Sequence, residues 1–162
     1  RVTGQNGVDI FIALADDAPL ILRLRCDRTP HMKEPNTHLA IDPELCGEPV
    51  AIGADVATTE FTATRRMAAD ERGLVHGGFI FGLADYAAML AVNDPNVVLG
   101  AAEARFLAPV SVGDVVTATA KVISSKGKKR TVETTAKVGE KKVFTATFTT
   151  FVLEGHVLDA QS

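Results

Sequence analysis

One acidic residue stands alone in the most apolar segment of the chain. Asp85 is the only charged residue between positions 77 and 93, where Phe, Leu, Ala, Met and Val predominate. Burying an unpaired carboxylate costs free energy or raises its pKa, and a sequence that tolerates this cost commonly has a use for it. Such a carboxylate can activate water as a general base, or attack a carbonyl carbon as a nucleophile. The structural alternative is an aspartate that faces a solvent gap or caps a neighbouring loop.

Two glycines open the same segment, directly after a histidine. If a helix begins at Gly77, the amide groups of Gly77 and Gly78 lack intrahelical acceptors and carry the positive end of the helix dipole. They can therefore stabilise an oxyanion, and the missing Cβ atoms let a substrate approach the backbone. Close packing of the helix against a strand is the alternative use of these glycines. His76 is a general-base candidate on its chemistry alone.

The spacing of these groups bears on assembly. Gly77 and Asp85 are eight residues apart, which is about 12 Å along a helix at roughly 1.5 Å per residue. One carbonyl group cannot contact both of them at about 3 Å. A site that uses both needs Gly77 from one copy and Asp85 from another, with the two helices antiparallel across a two-fold axis. We therefore expect a homodimer with two equivalent sites.

The surrounding pattern predicts one long helix and an antiparallel sheet. Residues 77–93 are apolar nearly all round, so a helix here should be buried on every side. A short helix is predicted over residues 38–45, because Pro43 suits a first turn and Gly47 follows the end. Alternation and turn residues predict strands over residues 50–52, 57–66, 97–106, 115–124, 130–138 and 142–153. A fully apolar helix needs a sheet wrapped around it to stay dry, so the fold class is α+β.

The segment from Gly73 to Asp85 resembles the signature of hotdog-fold acyl-CoA thioesterases of the 4-hydroxybenzoyl-CoA and phenylacetate-pathway types. In that signature His-Gly-Gly opens the helix and an acidic residue follows nine residues after the His, as His76 and Asp85 do. Phe-Leu-Ala-Pro at 106–109, followed by Gly-Asp at 113–114, is similar to a second motif of that family. The resemblance covers residues 37–155. It implies the hotdog fold, in which a curved antiparallel sheet is wrapped around one long apolar helix.

The resemblance also implies an activity and a shared site. The expected reaction is hydrolysis of a small, aromatic or medium-chain acyl-CoA to the free acid and CoA, without a cofactor or metal. Asp85 would activate water or attack the carbonyl, while the N–H of Gly77 from the opposite subunit polarises the carbonyl. His76 would mainly hold the loop before the helix. Family members pair their sheets side by side and share sites, so a homodimer is expected, and a homotetramer is possible.

Other residues are further candidates for the site. Asp70 stands where family members often carry Asn or Gln, so it could orient a water, pair with Arg72 or Arg66, or be a solvated loop residue. The residues expected to contact substrate are Gly78, Phe79, Tyr86 and Met89. The basic turn at 126–130 could meet CoA phosphates, although a solvated turn is the simpler interpretation. The other histidines, at positions 31, 38 and 156, are interpreted as ordinary surface or terminal residues.

Composition limits the class of protein. The chain has 162 residues with 46% hydrophobic and 23% charged residues and a net charge of -3, which indicates a globular domain rather than a nucleic-acid or membrane-surface binder. Cys26 and Cys46 lack the spacing of a zinc site or a disulfide framework, so a cytoplasmic location is expected. Residues 1–31 are assigned to an N-terminal extension, with a hairpin or a single strand as open alternatives. Residues 32–162 are assigned to the hotdog domain.

Two other functions are alternatives to hydrolysis. A non-catalytic acyl-CoA binding or sensing module would keep the cavity, but regulators of this fold lose the carboxylate that Asp85 provides. A hydratase or dehydratase of acyl thioesters pairs a catalytic His with an acid in motifs of the type His-Phe-Pro or Asp-x-Asn-Pro-x-His, which this sequence lacks. Thioester hydrolysis is therefore the leading hypothesis.

Overall fold

The computed structural model describes residues 33–159, so the prediction for residues 1–31 lies outside the described part of the chain. None of the helices in this part is long and apolar enough to cross a membrane. The elements in chain order are α1 (Pro43–Cys46), β1 (Glu48–Ile52), β2 (Val56–Thr62), a 3-10 turn (Arg65–Met67), α2 (Gly77–Val92), β3 (Val97–Phe106), β4 (Val115–Lys126), β5 (Lys129–Val138) and β6 (Lys141–Val152).

All six strands form one antiparallel sheet in the order β1-β2-β4-β5-β6-β3. One face of the sheet packs against α2, and the two together enclose the core. The largest fully buried side chains come from both layers and include Leu83, Met89 and Leu90 of α2 and Phe144 and Phe148 of β6. The predicted arrangement of a sheet around one long apolar helix is confirmed.

Besides shifts of one or two residues, such as the start of β1 at Glu48 rather than residue 50, the boundaries differ from the prediction at the short helix, the end of β2 and the turn after β4. The helix expected over 38–45 is a single turn that begins at Pro43, because the Asp42 side chain caps it by accepting the Glu44 N–H at 2.9 Å. The strand expected to reach residue 66 ends at Thr62. The polar turn expected over 125–129 is a tight hairpin, because β4 and β5 continue to residues 126 and 129 and Gly127 supplies a positive φ of 56°.

Helix α2 is covered on most of its surface but not on all of it. Its residues Leu83, Ala84 and Ala87 are fully buried against the sheet. Gly78 is exposed, and Gly82 and Asp85 are half-buried. These three residues follow the i, i+4, i+7 spacing of one helix face, and we call them the open stripe. The expectation that the helix is buried on every side is therefore wrong along the open stripe.

The two edges of the sheet are β1 and β3. Strand β3 is exposed from Leu99 to Phe106. Its ladder with β6 carries a bulge at Gly100. Leu99 pairs with Thr150 and Ala101 pairs with the adjacent Thr149, so Gly100 has no partner. A Cβ on Gly100 would lie 2.4 Å from the Phe151 ring, so this position requires glycine unless the ring moves.

Candidate active site

A cleft of about 590 Å³ lies at the N-terminal end of α2. One wall consists of residues 75–78 and Ile80, and the other consists of residues 106–110 and Val143. The two sequence motifs, His-Gly-Gly and Phe-Leu-Ala-Pro, therefore face each other across it. Most wall residues are apolar, and none of them is acidic. The cleft suits an apolar group that approaches the first amides of the helix.

The amide groups of Gly77 and Gly78 are used differently. The Gly78 N–H donates to Nδ1 of His76 at 3.0 Å. Among the described residues, the Gly77 N–H donates no hydrogen bond. A Cβ on Gly77 would lie 2.7 Å from Cε1 of Phe106, so the ring of Phe106 packs directly on this glycine. The Gly77 N–H is thus the free donor at the positive end of the helix dipole.

His76 is the N-cap of α2. Its backbone N–H donates to the Met67 carbonyl at 2.9 Å, which ties the preceding loop to the 3-10 turn. Because Nδ1 accepts the Gly78 N–H, a neutral ring carries its own proton on Nε2. The His76 ring also packs edge-to-face with the Phe79 ring, with the two ring centroids 6.3 Å apart. This geometry matches the positioning role expected for His76.

Asp85 lies two turns farther along α2 and is not part of the cleft wall of its own protomer. Its Oδ1 atom is buried and has no hydrogen-bond partner among the described residues. Burial raises the pKa of Asp85 from 3.8 to about 6. Within residues 33–159 the carboxylate forms no ion pair and caps no neighbouring loop. Its half-buried position on the open stripe leaves it available to a group that approaches from outside the protomer.

The turn of α1 brings further polar groups to the same part of α2. A Cβ on Gly82 would lie 4.0 Å from Sγ of Cys46. Burial, and then the charges of Asp42 and Asp85, raise the pKa of the Cys46 thiol. Sequence reasoning missed Cys46, because its contact with α2 is tertiary and leaves no mark on local spacing.

His38 and Tyr86 lie beside this group, with ring centroids 6.2 Å apart. Burial lowers the pKa of His38, whose Nδ1 is 2.8 Å from Oγ1 of Thr37. Burial, and then Cys46, raise the pKa of Tyr86. The interpretation of His38 as an ordinary surface residue is therefore wrong, because its partners come from packing that the sequence pattern does not reveal.

The remaining predicted residues lie away from the cleft. Oδ1 of Asp70 accepts the Leu74 N–H at 3.0 Å, so Asp70 shapes the turn that leads to the cleft. Arg66 pairs with Glu44 at 2.8 Å rather than with Asp70. Met89 is fully buried and Tyr86 is nearly so, which places both in the core. Phe79 is half-buried and packs against that core.

The basic hairpin at 126–130 is partly engaged within the protomer. Lys128 pairs with Glu154 at 2.7 Å. Nη1 of Arg130 donates to the Gly127 carbonyl at 2.6 Å. These contacts favour the interpretation of this segment as a solvated turn.

Comparison with known proteins agrees with this arrangement. The sequence profile of the thioesterase superfamily matches residues 72–145, which include the helix, both cleft motifs and Asp85. The crystal structure of an uncharacterized protein from Pyrococcus horikoshii is 51% identical and has a TM-score of 0.78, covering 79% of this chain and 98% of that one.

Two curated relatives are longer than the part they share with this chain. A protein of Aquifex aeolicus (strain VF5) named methylthioribose-1-phosphate isomerase is 50% identical over 117 residues, which are 72% of this chain and 26% of that protein. The transcription factor FapR of Caldanaerobacter subterraneus subsp. tengcongensis is 33% identical over 102 residues, which are 63% of this chain and 51% of that protein. The chain thus spans about a quarter and about half of the lengths of these two relatives.

The resemblance noted in the sequence is confirmed by the family profile over residues 72–145, and the fold is shared with nearly the whole of the Pyrococcus protein. The chain belongs to the thioesterase superfamily and has its hotdog fold.

Proposed function

We propose that this protein is a homodimeric acyl-CoA thioesterase in which each site combines the cleft and Gly77 N–H of one subunit with Asp85 of the other. The observation that carries the proposal is the unpartnered, buried oxygen of Asp85 on a helix whose first amide is also free. Neither group has a hydrogen-bond partner among the described residues of its own protomer, and hydrolysis of a thioester needs both.

The two groups divide the chemistry of hydrolysis between them. The Asp85 carboxylate accepts a proton from water as the water oxygen bonds to the thioester carbon. The carbonyl oxygen becomes an oxyanion, which the Gly77 N–H and the helix dipole stabilise. When the tetrahedral intermediate collapses, the C–S bond breaks and the CoA thiolate takes the proton back from Asp85. The products are the free acid and the CoA thiol, so atoms and charge balance without a cofactor.

Direct nucleophilic attack by Asp85 is the alternative course at the same site. It would form a mixed anhydride and expel the CoA thiolate, which takes a proton from solvent, after which water would hydrolyse the anhydride to the free acid and the Asp85 carboxylate. Rapid-quench mass measurement of the intact protein during a single turnover separates the two courses, because only the nucleophilic course adds the mass of the acyl group to the chain.

The shape of the cleft supports a restricted class of acyl groups. Its walls are mainly apolar, and the exposed ring of Phe106 lies at its mouth beside Gly77. A small, aromatic or medium-chain acyl group fits a space of about 590 Å³ with its carbonyl at the helix end. The CoA portion would extend outwards into solvent or over the partner subunit.

A panel of acyl-CoAs, with release of the CoA thiol as the readout, tests the proposal. We expect hydrolysis that rises with pH through about 6, because the general base must be ionised, and that falls about 10²-fold or more in Asp85→Asn. Asp70→Asn is the matched control, since Asp70 only holds a turn, and it should retain most of the activity. Absence of thiol release from every acyl-CoA would refute an enzymatic function.

A second candidate function is non-catalytic sensing of an acyl-CoA. The similarity to the transcription factor FapR favours it, because that relative is named as a regulator and shares about half its length with this chain. A sensor would bind an acyl-CoA at the same cleft without releasing thiol. Calorimetric binding of acyl-CoAs in the absence of turnover would support this second function over the first.

A further inference from the structure

The side chain of Asn93 fastens one segment of the chain across the C-terminal end of α2. Its Oδ1 accepts the Asn36 N–H at 2.8 Å, and its Nδ2 donates to the Glu34 carbonyl at 3.0 Å. We call these two hydrogen bonds the clamp, and residues 33–46, which they hold, the strap. We propose that Asn93 is a positioning residue for hydrolysis, because the strap that it holds forms the dry wall beside Asp85. The inference rests on the proposed function for the role of Asp85 in the reaction.

Asparagine suits position 93 for two reasons. Asn93 is the C-cap of α2 and has a left-handed backbone with a φ of 51°, which asparagine adopts more readily than most residues with a side chain. An amide side chain can also donate and accept at once, and the contacts with Glu34 and Asn36 require both. A glycine would end the helix equally well, but it would leave the strap unfastened.

The strap follows α2 from its C-terminal end towards its middle. Beyond the clamp, His38 packs on Tyr86, with ring centroids 6.2 Å apart. At the end of the strap, Sγ of Cys46 lies 4.0 Å from where a Cβ on Gly82 would be. Thr37, between the clamp and His38, is only 4% exposed. The strap is therefore packed against the protein, and it touches α2 beside residues 93, 86 and 82.

Asp85 lies at the border of the helix surface that the strap covers. Residues three or four apart on a helix are neighbours on its surface. Met89 is such a neighbour of both Asp85 and Asn93, and it is fully buried. Gly78, on the open stripe, is exposed. The Oδ1 atom of Asp85 is buried although the residue as a whole is half-buried, so the carboxylate is dry towards the strap and open towards the stripe.

Burial, rather than a charged partner, governs the Asp85 carboxylate. The ionisable residues that the strap and α2 bring to this region are His38, Asp42, Cys46 and Tyr86. Glu44 pairs with Arg66 instead, and Lys33 and Glu34 belong to the far end of the strap. The buried polar residues of the sheet are threonines. Burial accordingly raises the pKa of Asp85 to about 6, and water in place of the strap would lower this pKa towards 3.8.

A dry wall makes Asp85 a better general base. A carboxylate with a pKa near 6 accepts a proton from water more readily than one near 3.8, and it is still ionised at neutral pH. Asn93 contributes to this without touching the substrate, since it follows Asp85 by eight residues, or about 12 Å along the helix. The role of Asn93 is to position the strap and thereby to keep bulk water from one side of the base.

The pH dependence of hydrolysis tests the clamp. The acid limb of the kcat/KM profile reports the pKa of the base in the free enzyme. Asn93→Gly removes both hydrogen bonds of the clamp, while glycine keeps the left-handed end of the helix. We expect the midpoint of the acid limb to fall by about one pH unit or more, and the rate at pH 8 to fall about threefold or more. A merely structural role would lower the melting temperature and leave the midpoint in place.

Asp55→Gly is the matched control. Asp55 is an exposed residue in the turn between β1 and β2, and its backbone is also left-handed, with a φ of 60°. Its replacement makes the same backbone change as Asn93→Gly but lies outside the strap. We expect the midpoint of Asp55→Gly to equal that of the unmodified protein. An equal shift in both variants, or no shift in Asn93→Gly, overturns the proposal.

Carbon-13 NMR measures the same pKa without a substrate. In protein labelled at the aspartate side-chain carboxyl groups, the Asp85 signal is the one that Asp85→Asn lacks. We expect it to titrate near 6 in the unmodified protein and about one unit lower in Asn93→Gly. If this shift occurs in a protein that hydrolyses none of the acyl-CoAs, the proposed function is refuted, and the strap keeps its role in burying Asp85. If hydrolysis occurs and neither measurement shifts, only the role of Asn93 is refuted.

A second variant applies should Asn93→Gly fold poorly, which thermal unfolding measures. In Asn93→Asp the side chain still accepts the Asn36 N–H but cannot donate to the Glu34 carbonyl. We expect a midpoint between those of the unmodified protein and Asn93→Gly. A folded Asn93→Asp protein with an unshifted midpoint would show that the strap stays in place without the full clamp, which contradicts the proposal.

Discussion

The two edges of the sheet differ in how far they are protected. Strand β1 has five residues, contains Pro49 and is interrupted by a bulge between Pro49 and Ala51. The Lys33 N–H also donates to the Ile52 carbonyl at 3.0 Å, so a neighbouring segment occupies the end of this edge. Proline, shortness and bulges are the usual means by which proteins prevent pairing with another strand.

Strand β3 has ten residues without proline, and from Leu99 onwards every one of them is exposed. Its bulge, at Gly100, leaves residues 101–106 as a regular, uninterrupted edge. Phe106 at its end is 60% exposed although it is a large apolar side chain. An unprotected edge of this length is an aggregation hazard in a monomer but a suitable surface in a dimer. The comparison favours β3 as the edge through which the proposed dimer would form.

The largest expected effect comes from giving β3 the protection that β1 has. The Leu107 N–H donates to Val143 of β6 and N–H groups alternate in direction along an antiparallel strand, so the Ala104 N–H faces the free edge and Ala104→Pro removes no hydrogen bond to β6. We expect a folded monomer that has lost hydrolysis by about 10³-fold, because each cleft lacks a carboxylate. Sedimentation and thiol release measure the two effects.

The matched change on the other edge is Val50→Glu, at an exposed position of β1. It should change unfolding free energy by no more than about 0.5 kcal/mol and leave assembly and hydrolysis intact. Loss of the dimer in Val50→Glu, or retention of an active dimer in Ala104→Pro, would contradict the expectation that subunits pair through β3 and not through β1.

The next largest effect concerns Asp85 when β3 is unpaired. Its pKa is about 6 in the folded protomer against an ordinary value of 3.8, so the unfolded chain ionises first as pH rises. Relative to Asp85→Asn, the protein with Asp85 therefore loses up to about 3 kcal/mol of unfolding free energy as pH rises from about 4 to 6. Above pH 6 the difference between the two forms stays constant. The two forms should be equally stable near pH 4.

Urea unfolding of the Ala104→Pro protein, with and without Asp85→Asn, measures this difference from pH 4 to 8. The monomeric background removes any contribution from the partner subunit. A difference that does not vary with pH would mean that the Asp85 carboxylate is solvated, and the basis for its catalytic role would be lost.

The smallest expected effect tests the contact between the end of β3 and the start of α2. Gly77→Ala places a methyl group 2.7 Å from the unmoved Phe106 ring, which is exposed and able to turn aside. We expect little loss of stability but about tenfold slower hydrolysis, because the oxyanion position is crowded. Gly82→Ala, whose new methyl group meets nothing closer than 4.0 Å, is the control on the same helix. Equal activities of the two variants would show that the Gly77 position does not contact the substrate.

The sequence was sufficient for the fold because the elements are regular. The apolar run that ends at Asn93 and the alternating strands after it place α2 and β3 to β6 to within two residues of the structure. The short helix and the end of β2 were placed less well. The start of the short helix is set by its Asp42 cap, and the end of β2 is set by the chain reversal at 65–67. At both places tertiary packing outweighs the local sequence pattern.

The candidate site was predictable only in part. Gly77, His76 and Asp85 follow from the position of a charge and of glycines relative to a helix, which spacing reveals. Met89 and Tyr86 were chosen as substrate contacts from the same helix, but the structure buries both in the core, since the sequence does not specify which face meets the sheet. Cys46 and Phe106 approach α2 from distant parts of the chain, and a single sequence gives no measure of that proximity.

The attachment of β3 has a consequence for how the protein is made. Among the strands of the structure, β3 is hydrogen-bonded to β6 alone, and β6 is the last of them along the chain. During synthesis the edge strand leaves the ribosome before the strand that anchors it, and non-local pairing of this kind forms late. The edge offered to a partner is therefore complete only after β6 has been made and has paired with β3. We expect subunits to associate only after that pairing, at a rate that depends on their concentration in the cell.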